Sequence, residues 1–218
     1  MTKTVLTIDI VSDVVCPWCV IGYAQLKQAL DAKKDKVDAK LVWHPFELGP
    51  DTPQEGKDMA AYVRERYGAS PEQSRANRDR ITRTGAELGI TFNYSDESRI
   101  YNSFKAHQLL LWAAESDRQT ELKLALFAAY FTDQANISDD AVLLDAVENA
   151  GLDRDAAAKV LANGRMVDHV RTEEDYWQNQ NISGVPAYII NGKYMVPGAQ
   201  DAETFGRVID RILEKEAG

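Results

Sequence analysis

Apolar and polar positions alternate at both ends of the chain and follow helical spacing between them. Val5-Leu6-Thr7-Ile8-Asp9-Ile10-Val11 predicts a first strand. Pro17 to about Ala32 predicts a helix, with Ile21, Leu26, Ala29 and Leu30 on its apolar face. Ala39 to Phe46 alternates as a second strand, and Pro45 marks that strand as an edge or as ending there. A strand, helix and strand in this order predict a right-handed crossover with parallel strands.

From about Glu55 to Gln180 helix signals follow one another with hardly any strand. Ser70-Pro71-Glu72-Gln73 has the capping-box pattern. Ile100, Phe104, His107 and Leu111 recur at helical spacing, as do Leu122, Leu126 and Tyr130. Ser138-Asp139-Asp140 opens a helix that stops at Gly151, and Asp153 caps the next, which ends near Asn163-Gly164. Arg165 to Gln180 predicts a strongly polar helix with a solvated face. Strands then return. Val185 to Ile190 is a short apolar run, Asn191-Gly192 a hairpin turn, and Lys193 to Val196 the returning strand. Asp201 caps a last helix that buries Phe205, Val208, Ile209, Ile212 and Leu213. The pattern is βαβ, a helical block, then αββα. It divides the chain into an N-terminal half-domain at 1–54, a helical insertion at 55–164 and a C-terminal half-domain at 165–218.

Composition narrows the function classes. The 218 residues are 44% hydrophobic and 27% charged, ordinary for a globular chain. A formal net charge of −9 argues against nucleic-acid backbones and anionic membranes as partners. No apolar run is long enough to span a bilayer, and no signal-peptide pattern opens the chain, so a cytoplasmic location is expected.

The chemistry concentrates in Cys16-Pro17-Trp18-Cys19, which holds both cysteines of the chain. A strand feeding a C-x-x-C that opens a helix is the context of a thiol–disulfide redox site. Pro17 suits the first helical position, and Cys16 would be the N-cap, where unpaired backbone N–H groups and the helix dipole favour an anionic sulfur. Cys19 lies one turn further in. Zinc needs about four ligands, and neither a second cysteine pair nor spaced histidines supply them. A structural disulfide over so small a loop would remove little unfolded-state entropy. Asp9 and Asp13 are candidates for proton transfer with Cys19, although capping of the strand end also accounts for them. His107 reads as a satisfied core histidine; His44 and His169 have no constellation around them.

The βαβ–αββα frame with C-x-x-C at its first helix resembles the thioredoxin fold, and the helical insertion resembles the DsbA family. Ser12 to Cys19 with Gly22, Pro45-Phe46-Glu47-Leu48, Ala106-His107, Gly184-Val185-Pro186 and Gly198-Ala199-Gln200 are similar to its cytoplasmic FrnE-like branch. The resemblance implies an α/β protein disulfide oxidoreductase or isomerase. Cys16 would be its exposed nucleophile and Cys19 the resolving cysteine. Pro17, Trp18, Val185 and a cis Pro186 would form the substrate-binding surface. A cis peptide there turns the Val185 backbone toward an extended substrate strand. The chain departs from many FrnE-like proteins in carrying Val20 after the second cysteine and in lacking a second cysteine pair. Trp18 adds no positive charge beside the thiolate, so Cys16 is expected to be less acidic than in strongly oxidising periplasmic relatives.

The partners implied are protein or peptide thiols and disulfides, with glutathione as a further candidate. No cofactor is implied beyond a redox-active Cys16–Cys19 disulfide. The alternative is a glutathione-dependent isomerase or transferase. Kappa-class glutathione transferases and 2-hydroxychromene-2-carboxylate isomerases resemble the chain at G-x-P and at Gly198 to Asp201. Those enzymes typically place Ser where Cys16 stands. A non-catalytic binding module around Trp18 and Val185 is a third reading, which predicts that Cys16→Ser leaves function intact.

Overall fold

The computed structural model describes residues 3–217. Strand β1 (Thr4–Ser12) leads into helix α1 (Pro17–Asp31), and β2 (Val37–Pro45) returns parallel to β1, with Thr4 opposite Val37 and Ser12 opposite Pro45. The insertion begins with a two-residue strand β3 (Lys57–Asp58). Helices α2 (Met59–Tyr67) and α3 (Pro71–Glu87) and a second short strand β4 (Arg99–Ile100) follow. Then come α4 (Phe104–Ala113), α5 (Gln119–Phe127), α6 (Asp140–Asn149), α7 (Arg154–Asn163) and α8 (Val167–Asn179). Strands β5 (Ala187–Ile190) and β6 (Tyr194–Pro197) and helix α9 (Ala202–Ala217) complete the chain.

The main sheet has the order β2-β1-β5-β6, which puts β2 and its terminal Pro45 at an edge. Strand β5 runs antiparallel to β1, with Ile8 opposite Ile190 and Val11 opposite Ala187. Alternation along β1 sorts its side chains. Leu6, Ile8 and Ile10 join the core that contains Leu26 of α1 and Phe205 and Ile209 of α9. Val11 faces the other way, with Phe46, Ala187 and Trp177 of α8. Asn191 and Gly192 form the hairpin at positive φ, and the Asn191 side chain accepts from the Thr7 N–H at 3.0 Å. The capping box at Ser70 forms, and the Thr204 N–H donates to Asp201 at 2.6 Å at the start of α9.

Three expectations are corrected. Ile100 is not helical: it pairs with Lys57 in the β3–β4 ribbon, and α4 starts only after Ser103. Tyr130 lies in a π-helical turn, Ala128–Thr132, where the Asp133 N–H reaches back to the Ala128 carbonyl. Helix α8 is not simply solvated. It buries Val170, Glu174 and Trp177 against the sheet and α4. No helix among the described residues is long and apolar enough to cross a membrane.

Candidate active site

Strand β1 runs out at Ser12, and Asp13 to Val15 turn the chain into α1. Cys16 is the N-cap of α1, in extended conformation, and Pro17 takes the first turn, where its missing N–H costs nothing. Both cysteines are free thiols. Cys19 is wholly buried. Cys16, the expected exposed nucleophile, is only 4% exposed. It opens into a cleft of about 590 Å³ between the active-site turn and the insertion helices α2 and α3. Met59, Tyr62, Val63 and Tyr67 form the α2 wall; Gln73, Asn77, Arg78 and Ile81 form the α3 wall. Each set repeats at helical spacing, so each wall is one face of its helix.

The Val185–Pro186 peptide is cis. The Cys16 Sγ lies 3.7 Å from the Val185 carbonyl, in the geometry of a thiol donor. Trp18 lines the cleft and also packs under the insertion, with the Arg80 guanidinium carbon 4.7 Å from its ring centroid. Pro17 lines the cleft as well.

Behind the cysteines lies a buried polar group. Asp13, fully buried, accepts from the Leu48 N–H at 2.7 Å and lies 3.3 Å from His107 Nε2. Burial raises its carboxyl, yet the His107 bond and charge, the Leu48 amide and Ser103 together hold it below the usual range. His107 is thus a satisfied core histidine whose partner is Asp13. Lys123 of α5 is 1% exposed. Burial pushes its ammonium down to about 8, even though charge on Cys19, Asp13 and Cys16 favours it.

The two thiols titrate as one unit. The hydrogen bond with Cys19, then burial, drives Cys16 well up. Burial also opposes the Cys19 thiolate, but the Cys16 hydrogen bond, Lys123, Ser12 and the Asp13 backbone more than offset it and hold Cys19 below the usual thiol range. The pair therefore loses one proton readily and the second with difficulty.

Asp9 does not join this group. It accepts from His44 Nε2 at 2.9 Å, while His44 Nδ1 lies 2.7 Å from Glu173 of α8 and the imidazole sits 4.6 Å from Trp177. His44 has a constellation after all, one that ties β1, β2 and α8 together. Gly198 to Asp201 spends its groups internally: the Gly198 N–H donates to the Pro186 carbonyl, and Asp201 caps α9. No metal-binding cluster of His, Cys, Asp and Glu exists among the described residues. Sequence reasoning gave no role to Lys123 or Tyr188; the Tyr188 hydroxyl is buried with no hydrogen-bond partner among the described residues.

The chain is 28% identical to the protein YwbO of Bacillus subtilis over 96% of its own length and 98% of that protein's. It is 30% identical to a probable DsbA oxidoreductase of Streptomyces coelicolor, with a TM-score of 0.87 and coverage of 94% and 89% of the two chains. The cytosolic disulfide reductase DsbM of Pseudomonas aeruginosa, also solved with GSH, shares the fold at 15% identity. Its TM-score is 0.62, over 95% of this chain and 98% of that one. Residues 7–210 match the DSBA-like thioredoxin domain, and the chain belongs to that family.

Proposed function

We propose that the protein is a dithiol–disulfide oxidoreductase working through Cys16 and Cys19. The observation that carries this reading is a free thiol pair at the start of α1, with Cys16 facing both the Val185 carbonyl and the cleft. Cys16, as thiolate, attacks one sulfur of a substrate disulfide and forms a mixed disulfide, releasing the other half as a thiolate. Cys19 then attacks Cys16, closing the Cys16–Cys19 disulfide and releasing the second half. Run in reverse, the same steps oxidise a substrate dithiol.

Pro17, Trp18, Val185 and Pro186 form the substrate-binding surface. An extended peptide pairs with the Val185 backbone as an added strand, and its neighbouring side chain enters the cleft. With Cys16 only 4% exposed, peptide thiols and disulfides in extended or unfolded segments fit better than those on folded surfaces. Glutathione is the candidate low-molecular-weight partner; the GSH complex of the fold neighbour DsbM supports that choice. The working compartment in this reading is the reducing cytoplasm, where a lone C-x-x-C serves catalysis better than structure.

The test is trapping. Cys19→Ser, mixed with a peptide disulfide, should hold one peptide on Cys16 by mass, and Cys16→Ser should hold none. Equal labelling of the two variants would overturn the assignment.

A further inference from the structure

The cleft in front of Cys16 has two unlike walls. Along α2, Met59, Val63 and Tyr67 recur four residues apart and present an apolar face. Tyr67 stays 59% exposed, so this wall holds a large aromatic ring in solvent, a feature that marks interaction sites. Along α3, Ser74, Asn77 and Arg78 line the cleft with hydrogen-bonding groups. The Asn77 side-chain carbonyl accepts from Arg80 at 3.0 Å, which leaves its amide N–H groups as donors. Arg80 lies over the Trp18 ring, so this face of α3 is tied to the active-site turn. Arg78 donates to the Ser95 carbonyl at 3.3 Å, and the carboxylate it pairs with, Asp96, is 3.8 Å away and wholly in solvent. An ion pair so long and so exposed holds a guanidinium weakly. Arg78 and Tyr94 also line a second groove, where Arg75 and Arg83 stand with Asp79 and Asp96. Arg75 pairs on the surface with Glu72 at 3.4 Å. Residues 59–87 carry six arginines against four acids, in a chain whose net charge is −9. The part of the molecule that covers the thiols is thus its cationic part.

We infer that the cleft selects peptide substrates in which the reacting cysteine is flanked by a large apolar residue and then by an acidic one. The inference rests on the exchange reading above and names the class of peptide on which it works. The apolar side chain packs on Met59, Val63 and Tyr67. The carboxylate beyond it takes the Arg78 guanidinium, with Asn77 as a second donor, in place of the weak pairing to Asp96. A cleft of about 590 Å³ admits a side chain of phenylalanine size together with part of its neighbour. The groove beyond Arg78 continues past the cleft, which suits a chain that runs on rather than a small thiol that ends there. A carboxylate is also drawn toward this cationic cover during encounter, whereas a lysine at the same place meets like charge. No covalent step is added: Cys16 and Cys19 exchange with the peptide as described above.

The experiment uses the Cys19→Ser variant, which retains the adduct on Cys16, and the homodisulfides of short peptides. These are Glu-Phe-Cys-Phe-Glu, its counterparts with Gln or Lys at both ends, and Glu-Ser-Cys-Ser-Glu. Both flanks are alike, so the direction of the bound strand does not enter. Adduct formation is followed by rapid quench and mass spectrometry. Each rate is divided by that of the same peptide with 2-mercaptoethanol, which removes the effect of charge on the disulfide itself. At low salt the Glu-Phe peptide should react about fivefold faster than its Gln counterpart and about twentyfold faster than its Lys counterpart. Added salt should compress both ratios. Replacing Phe by Ser should slow the reaction about tenfold. On the same background, Arg78→Gln should remove most of the preference for Glu over Gln. Arg83→Gln, further along the groove, should remove less of it and tests the same idea should Arg78→Gln fail to fold. Equal rates for the Glu and Lys peptides, no advantage of Phe over Ser, or a charge preference untouched by both substitutions would overturn the inference. Bis(2-hydroxyethyl) disulfide, which carries neither an apolar side chain nor a charge, separates the two levels. An adduct with it upholds the exchange reading whatever the peptides show, and no adduct with any of these disulfides would remove that reading and this inference with it.

Discussion

Replacing Lys123 by methionine should stabilise the reduced protein. The lysine is fully buried, and its ammonium is pushed from 10.5 down to about 8 by desolvation. A shift of about 2.5 units corresponds to roughly 3 kcal/mol between the two protonation states. The depressed folded value sets the sign. Below pH 8 the group is charged in both states, and only the folded state bears the burial cost. Between about 8 and 10.5 the unfolded chain binds the extra proton, so wild-type stability rises with pH. Methionine is similar in length and has no charge to bury. Urea unfolding under reducing conditions at pH 7 should therefore show Lys123→Met more stable by about 3 kcal/mol, shrinking to about 1.4 kcal/mol at pH 9.5. A destabilised variant, or a gain that does not change between the two pH values, would refute the reasoning.

Two further outcomes follow from the packing. A Cβ added at Gly22 would lie 2.3 Å from the Tyr188 hydroxyl and 3.2 Å from Ala199, and Tyr188 is held by Phe205, so Gly22→Ala should cost about 1–3 kcal/mol by thermal melting; an unchanged melting temperature would show that the β5 side of the site yields more easily than this contact implies. For the His44 clasp, burial opposes the imidazolium, but Asp9 and Glu173 more than offset it and raise its pKa, while the His44 bond lowers that of Glu173. Raised His44 contributes stability that is complete below its ordinary 6.5 and lost as pH rises through the raised value; lowered Glu173 contributes above its ordinary 4.5 and loses it as pH falls. His44→Phe should therefore cost most between about pH 4.5 and 6.5, on the order of 1–3 kcal/mol, and less at pH 9; a penalty equal at both would assign the effect to packing on Trp177 alone.

The frame was legible because its signals are local. Alternation in β1, the Asn191-Gly192 turn, the Ser70 capping box and the Cys16-Pro17 helix start each lie within a few residues, and each formed as read. The placing of the Cys16–Cys19 thiol pair at the start of α1 was legible for the same reason. What the sequence hid depends on distant partners. His44 meets Glu173 across 129 residues, and Asp13 meets His107 across 94. Lys123 was hidden by helix geometry. Within Leu122 to Phe127 it shares the buried stripe with Leu122, Leu126 and Phe127, while Leu124 is the residue turned outward. A charged residue on that stripe reads as a polar face until the neighbouring elements are in place. Ile100 was misread because a two-residue ribbon carries no periodicity to set against a helical one.

The most direct test of the central claim is turnover: reduction of insulin disulfides by dithiothreitol with wild type, Cys16→Ser and Cys19→Ser. The account predicts catalysis by wild type that disappears in Cys16→Ser, together with a stalled mixed disulfide in Cys19→Ser. Catalysis that survives in Cys16→Ser, or none by the reduced wild type, would contradict it.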